Sequence, residues 1–94
     1  MSEIVATRRM FVKEGDAYVP TEISISIPRE RDDGLHVCNV VFTKPSKYSA
    51  SIRGADGINA LECAISYIDS ICANSDNPEF HCEASGGRYK GSPI

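Results

Sequence analysis

The sequence predicts an α+β fold in which an antiparallel meander of four to five strands packs one face against a single amphipathic helix. Residues 21–28 alternate apolar and polar side chains, whereas residues 57–73 repeat apolar side chains every three or four positions. The chain has 94 residues, 41% hydrophobic and 24% charged, a composition typical of globular proteins. We therefore expect a single domain, residues 1–94, with one hydrophobic core.

The first two strands are predicted on either side of turn-forming residues. Residues 4–13 are rich in β-branched and large apolar side chains and end at Glu-Gly-Asp, which favours a turn. The three isoleucines of residues 21–28 should share one face of a half-buried strand. Residues 29–34 contain no apolar side chain and end in Asp-Gly, so we expect an exposed hairpin connection there.

Two further strands are predicted before the helix. Residues 35–43 carry apolar side chains on both alternating faces, which indicates a central strand, and residues 48–53 alternate as a fourth strand. Because one helix covers only one face of such a sheet, apolar side chains should lie exposed on the other face. The candidates are Val37 and Val41 or, alternatively, Cys38, Val40 and Phe42, together with Met10 or Phe11.

The second half should contain the helix and a short fifth strand. Asp56 is the predicted N-cap, because its carboxylate can accept hydrogen bonds from unpaired amides of the first turn. The helix should end near Ala73, before a stretch of Asn, Ser, Asp and Pro. Residues 79–83 are predicted to form the fifth strand and residues 84–94 a flexible tail.

Charge is distributed unevenly along the chain. The net charge is −3, and residues 54–87 contain six acidic side chains and no Lys or Arg. Arg8 and Arg9 should point to opposite faces of a strand, so they form no basic patch and nucleic acid is disfavoured as a partner. The acidic side chains predicted to bind a basic protein partner are Glu62, Asp69, Asp76 and Glu79.

No membrane-spanning run or signal peptide is visible, so we expect a cytoplasmic protein that does not enter a membrane. Its four cysteines should then be free thiols. His36, Cys38, His81 and Cys82 lack the paired spacing of zinc ligands, and no pattern marks an activated thiolate. We expect no metal, no cofactor and no catalytic site.

One segment resembles a known family. Residues 54–61, Gly-Ala-Asp-Gly-Ile-Asn-Ala-Leu, follow several predicted strands and enter the helix through Gly-x-Asp and then Ala-Leu. In this they resemble a family of small uncharacterised bacterial α+β domains. The resemblance implies a compact bacterial protein without known enzymatic activity, of a kind also found among immunity proteins that neutralise toxins. It assigns no functional residue.

The leading hypothesis is therefore an immunity-type inhibitor that neutralises a toxin or effector by surface complementarity. One alternative is a small-molecule-binding or thiol-dependent domain with a pocket on the open sheet face near His36 and Cys38. Another is a structural homodimer formed through that exposed face. Rapid alkylation of Cys38 with loss of an activity would favour the thiol-dependent domain, and light scattering would reveal the dimer.

Overall fold

The computed structural model describes residues 3–74, 76–82 and 87–89 and has an α+β fold, an antiparallel six-stranded sheet with a helix packed on one face. The strands are β1 Ile4–Glu14, β2 Ala17–Ser26, β3 Arg29–Glu30, β4 His36–Phe42, β5 Ala50–Gly54 and β6 Phe80–His81. The helix α1 spans Gly57–Ala73, and a 3-10 turn, Ser46–Tyr48, precedes β5. The predicted fold class is confirmed, with one strand more than expected.

The strands follow one another across the sheet as a meander. β1 pairs with β2, β2 and β3 pair with one edge of β4, and β5 pairs with the other edge. β6 pairs with β1, and every pairing is antiparallel. The chain from β5 through α1 to β6 therefore crosses from one edge of the sheet to the other, which places the helix over one face.

The second strand differs from its predicted bounds, residues 21–28. It begins at Ala17, because Gly15 adopts a positive φ of 60° and permits a two-residue hairpin turn. It ends at Ser26, because the register with β4 shifts by one residue between Ile25 and Arg29. This bulge turns Ile27 away from the other two isoleucines, and its side chain is 36% exposed.

Two smaller corrections concern the segments around β4. Arg29 and Glu30, predicted to lie in the hairpin connection, pair with β4, and the turn itself begins at Arg31. Tyr48, predicted to begin the fourth strand, lies instead in the 3-10 turn, where its amide donates to the carbonyl oxygen of Pro45 at 3.3 Å. Its ring packs edge-on against Phe42, with the centroids 5.8 Å apart.

The core lies between the sheet and α1. On β4, the face formed by Cys38, Val40 and Phe42 is the buried one, whereas Val41 on the opposite face is 50% exposed. The remaining buried apolar side chains are Met10, Val12, Ile23, Ile25, Ala60, Ala64, Ile68, Cys72 and Phe80. Met10 therefore belongs to the core.

Both ends of α1 agree with the prediction. Asp56 Oδ1 accepts a hydrogen bond from the Asn59 amide at 2.7 Å, and Asn59 Oδ1 accepts one from the Ala55 amide at 2.8 Å. This reciprocal arrangement satisfies two backbone donors at the helix N-terminus. After Ala73, Asn74 adopts an extended conformation, and its side chain accepts a hydrogen bond from the amide of Asp76 at 2.9 Å.

The predicted fifth strand is present as β6, although Glu83 lies outside the described residues. Part of the predicted tail is described as well. Arg88 forms a β-bridge with His81, and the Tyr89 amide donates to the carbonyl oxygen of Phe80 at 2.7 Å. Residues 84–86 and 90–94 of the predicted tail lie outside the described residues. No helix in the described part of the chain has both the length and the apolar character needed to cross a bilayer.

Candidate functional site

The outer face of α1 exposes two large aliphatic side chains on either side of an acidic one. Ile58 is 74% exposed and Ile65 is 44% exposed, and Glu62 lies between them at the surface. The three follow one another at spacings of four and three residues, so they lie on one side of the helix. We call Ile58, Glu62 and Ile65 the helix stripe.

A groove of about 320 Å³ runs beside this stripe, between α1 and the β1–β2 hairpin. We call it the isoleucine groove. Its apolar lining is formed by Ala6, Ile23, Ile25, Ile65 and Ile68, and its polar lining by Thr7, Arg8 and Asp69. Ile65 belongs to both features, so the groove and the helix stripe form one continuous surface.

Arg8 and Asp69 join the two sides of the isoleucine groove. Arg8 Nη1 lies 3.5 Å from Asp69 Oδ1 and donates a hydrogen bond to the Tyr89 hydroxyl at 2.8 Å. The Tyr89 hydroxyl in turn donates to Asp69 Oδ1 at 2.5 Å. Burial alone would lower the pKa of Arg8, but the hydrogen bond to Tyr89 and the charge of Asp69 raise it above its ordinary value. Arg8 therefore stays positively charged, and its charge is paired with that of Asp69.

The four acidic residues predicted to bind a partner fall into two groups. Glu62 and Asp76 are exposed and form no ion pair within the described residues. Asp69 is held by Arg8 and Tyr89, and Glu79 lies 3.9 Å from Lys13 Nζ and 3.3 Å from His81 Nε2. Glu62 is the acidic residue that belongs to the helix stripe.

The thiols lie in contrasting environments. None of the four cysteines forms a disulfide, as predicted. Cys38 and Cys72 are fully buried, and burial raises the pKa of both thiols, that of Cys72 to about 12. Cys38 faces α1 rather than the open sheet face, so its thiol does not line a pocket on that open face. A raised pKa disfavours the thiolate that a nucleophile or metal ligand requires.

The two histidines do not combine with the cysteines into a ligand set. Among the residues that the structure describes, no three His, Cys, Asp or Glu side chains lie close enough to hold a metal ion. His36 is partly buried, and its Nδ1 has no hydrogen-bond partner among those residues. His81 is buried against the ring of Tyr18, with the centroids 4.9 Å apart.

The open face of the sheet carries both apolar and polar side chains. Val41 is exposed there beside the exposed Ile4, and Ser24, Ser26 and Asn39 lie around them. Ser51 donates a hydrogen bond to Asn39 Oδ1 at 2.9 Å, and Arg9 lies 3.7 Å from Glu22. Arg9 therefore points away from Arg8, as predicted, and it lines a second depression together with Phe11 and Pro20.

Comparison of the chain with protein-family models, curated proteins and solved structures finds no match in any of the three. The resemblance noted for residues 54–61 thus stays a prediction. What those residues do in the fold is clear, because Gly54 lets the helix backbone approach β5. A Cβ added at Gly54 would lie only 2.3 Å from the amide nitrogen of Ala60.

Sequence reasoning proposed Glu62 as a partner-binding residue but did not predict the groove beside it. The groove combines residues from β1, β2 and α1, which are up to 63 positions apart between Ala6 and Asp69. The one available signal was the width of the apolar stripe on the helix. Ile58 and Ile65 fit the helical period, yet they lie at the edge of the stripe that the sheet leaves uncovered.

Proposed function

We propose that this protein acts in the cytoplasm as an immunity-type inhibitor, which binds a toxin or effector protein and occludes it without catalysis. The helix stripe is the observation that supports this most strongly. Ile58, at 74% exposure, and Ile65, at 44%, present aliphatic surface to solvent beside Glu62. Large apolar side chains that share one exposed face are typical of interfaces, whereas scattered ones need no explanation.

The chemistry of the partner follows from the charge around the stripe. From residue 54 to residue 82 the chain carries five acidic side chains and no Lys or Arg. A partner surface with an apolar centre and a basic rim would complement this part of the molecule. Asp56, Glu62 and Asp76 are its exposed acidic side chains without an ion pair among the described residues. Asp56 caps α1, so Glu62 and Asp76 are the ones available to attract such a rim.

The thiol-dependent alternative receives less support. Its candidate nucleophile, Cys38, is packed between β4 and α1 and has a raised pKa, so little thiolate would form at neutral pH. The open-face homodimer is also less favoured, because polar side chains, Ser24, Ser26 and Asn39, lie among the exposed Ile4 and Val41. Binding through the helix side would use Ile58, Ile65 and the isoleucine groove together.

The test uses the protein encoded by the adjacent gene, since immunity proteins are encoded beside the toxins they inhibit. The two proteins would be co-expressed, and growth and co-purification would be measured. We expect wild-type protein to restore growth and to form a stable complex. Glu62→Arg should weaken the complex at least tenfold, because it places a positive charge against a basic rim.

Glu14→Arg is the matched control. Glu14 is also exposed and acidic, but it lies at the tip of the β1–β2 hairpin. The Glu14→Arg variant should bind the partner as tightly as wild type does. If the wild-type protein neither protected growth nor formed a complex with the product of either adjacent gene, the proposal would be contradicted. If light scattering showed a wild-type dimer that Glu62→Arg dissociates, the partner of this surface would be a second copy of the chain rather than a toxin.

A further inference from the structure

The isoleucine groove has the volume and the apolar lining to hold one aliphatic chain. Four isoleucines from the sheet and the helix line its walls, and its volume of about 320 Å³ lies at the lower end of the range of ligand sites. Such a volume is small for a folded segment of another protein. One long side chain or one small molecule is the occupant that its size favours.

The electrostatics around the groove favour a cation at its mouth. The charge of Arg8 is balanced by Asp69, which lies 3.5 Å away and also accepts the Tyr89 hydroxyl. Glu62 on the adjacent turn of α1 has no such counterion among the described residues. A positive charge arriving there would gain attraction from Glu62, whereas a carboxylate would meet an excess of negative charge.

We propose that the isoleucine groove binds a long basic side chain, a lysine or arginine, of the protein partner. The methylene stem of such a side chain packs along Ile23, Ile25, Ile65 and Ile68, while its charged head stays at the solvent-exposed mouth near Glu62. Long basic side chains commonly bury their stems in this way and keep the charge in water. This inference rests on the proposed function and specifies the anchor of the interface.

The groove can be tested without the partner, using small probes that differ only in the head group. n-Butylammonium copies the lysine side chain, pentanoate carries the opposite charge on a stem of equal length, and butan-1-ol is neutral. Each would be titrated into ¹⁵N-labelled protein while amide shifts are followed. We expect n-butylammonium to shift Ala6, Ile25 and Ile65 and to bind about fivefold more tightly than pentanoate, the factor expected from one exposed ion pair.

Replacing each of two exposed alanines by phenylalanine tests whether the result is specific to the groove. Ala6→Phe places a ring in the groove, and Ala17→Phe places the same ring beside the hairpin turn, where Ala17 is also exposed. n-Butylammonium binding should be lost in Ala6→Phe and kept in Ala17→Phe. Equal or tighter binding of pentanoate, or shifts that survive in Ala6→Phe, would overturn the assignment.

The same two variants separate this inference from the proposed function. Ala6→Phe should weaken the complex with the adjacent gene's product about tenfold, and Ala17→Phe should leave it unchanged. If the complex forms equally well with Ala6→Phe, the groove is not the anchor although the protein is still an inhibitor. If wild-type protein forms no complex, the proposed function itself fails.

Discussion

Tyr89 donates a hydrogen bond to Asp69 across 20 positions of sequence, with its hydroxyl 2.5 Å from Asp69 Oδ1. The same hydroxyl accepts a hydrogen bond from Arg8 Nη1 at 2.8 Å. These two contacts connect residues 87–89 to both α1 and β1. Asp69 therefore contributes to holding the fold together, in addition to any contact that it makes with a partner.

Removing the Tyr89 hydroxyl should reduce stability modestly. Tyr89→Phe keeps the ring and the Arg8–Asp69 ion pair but loses two hydrogen bonds, so we expect the free energy of unfolding to fall by about 1 to 2 kcal/mol. Urea denaturation measures this change. Tyr18→Phe is the matched control, because Tyr18 is 38% exposed and its hydroxyl forms no hydrogen bond with the described residues. An equally large fall in the free energy of unfolding for Tyr18→Phe would contradict the stabilising role given to the Tyr89 hydroxyl.

Gly54, at the end of β5, and Gly57, the first residue of α1, should respond oppositely to replacement by alanine. At Gly54 a Cβ would lie 2.3 Å from the amide nitrogen of Ala60, and backbone atoms cannot yield easily. Gly54→Ala should therefore destabilise the fold by about 3 kcal/mol or more.

At Gly57 the nearest contact of a Cβ would be Pro28, at 3.8 Å, an ordinary van der Waals distance. Gly57→Ala should stabilise the protein by about 0.4 to 1 kcal/mol, because alanine restricts the unfolded chain more than glycine does. Thermal unfolding of both variants tests the pair. Equal effects would show that α1 does not pack on β5 through Gly54.

The Cys72 thiol should make stability fall at alkaline pH. Its pKa rises from roughly 8.5 in an unfolded chain to about 12 in the folded protein, because burial disfavours the thiolate. Between these values the unfolded state loses a proton that the folded state keeps. The contribution is therefore fully present below pH ~8.5 and declines above it by up to about 1.4 kcal/mol per pH unit.

Urea denaturation at several pH values between 8 and 10.5 measures this slope. Cys72→Ala should flatten it, whatever stability is lost at neutral pH by removing the buried sulfur. Cys82→Ala is the control, since Cys82 is exposed in the folded protein and its removal should leave the slope unchanged. An unchanged slope in Cys72→Ala would show that this thiol does not titrate as its burial requires.

The helix and the general fold could be predicted because their signals are local. Asp56 marked the start of α1, the Asn, Ser, Asp and Pro residues after Ala73 marked its end, and alternation identified the central strands. The bounds of β2 could not be predicted, because the bulge after Ser26 arises from its pairing with β4. Tyr48 alternates like a strand residue, but the hydrogen bonds of the 3-10 turn and its packing on Phe42 override that pattern.

The candidate site was predictable only in part, because it depends on contacts between distant segments. Glu62 could be identified from helical spacing alone. Asp69 forms its ion pair with Arg8 and its hydrogen bond with Tyr89, which lie 61 and 20 positions away in the sequence. Likewise, which face of β4 is buried depends on where α1 packs, and the alternation of side chains alone did not predict it.

The most direct test of the account compares exposed aliphatic residues on the two sides of the sheet. Ile58 and Ile65 lie on the helix stripe, whereas Ile4, at 59% exposure, and Val41, at 50%, line the open sheet face. The affinity of each double glutamine variant for the adjacent gene's product would be measured by calorimetric titration. We expect Ile58→Gln with Ile65→Gln to weaken binding at least tenfold and Ile4→Gln with Val41→Gln to change it less than twofold. The reverse order would place the interface on the open sheet face and contradict the account.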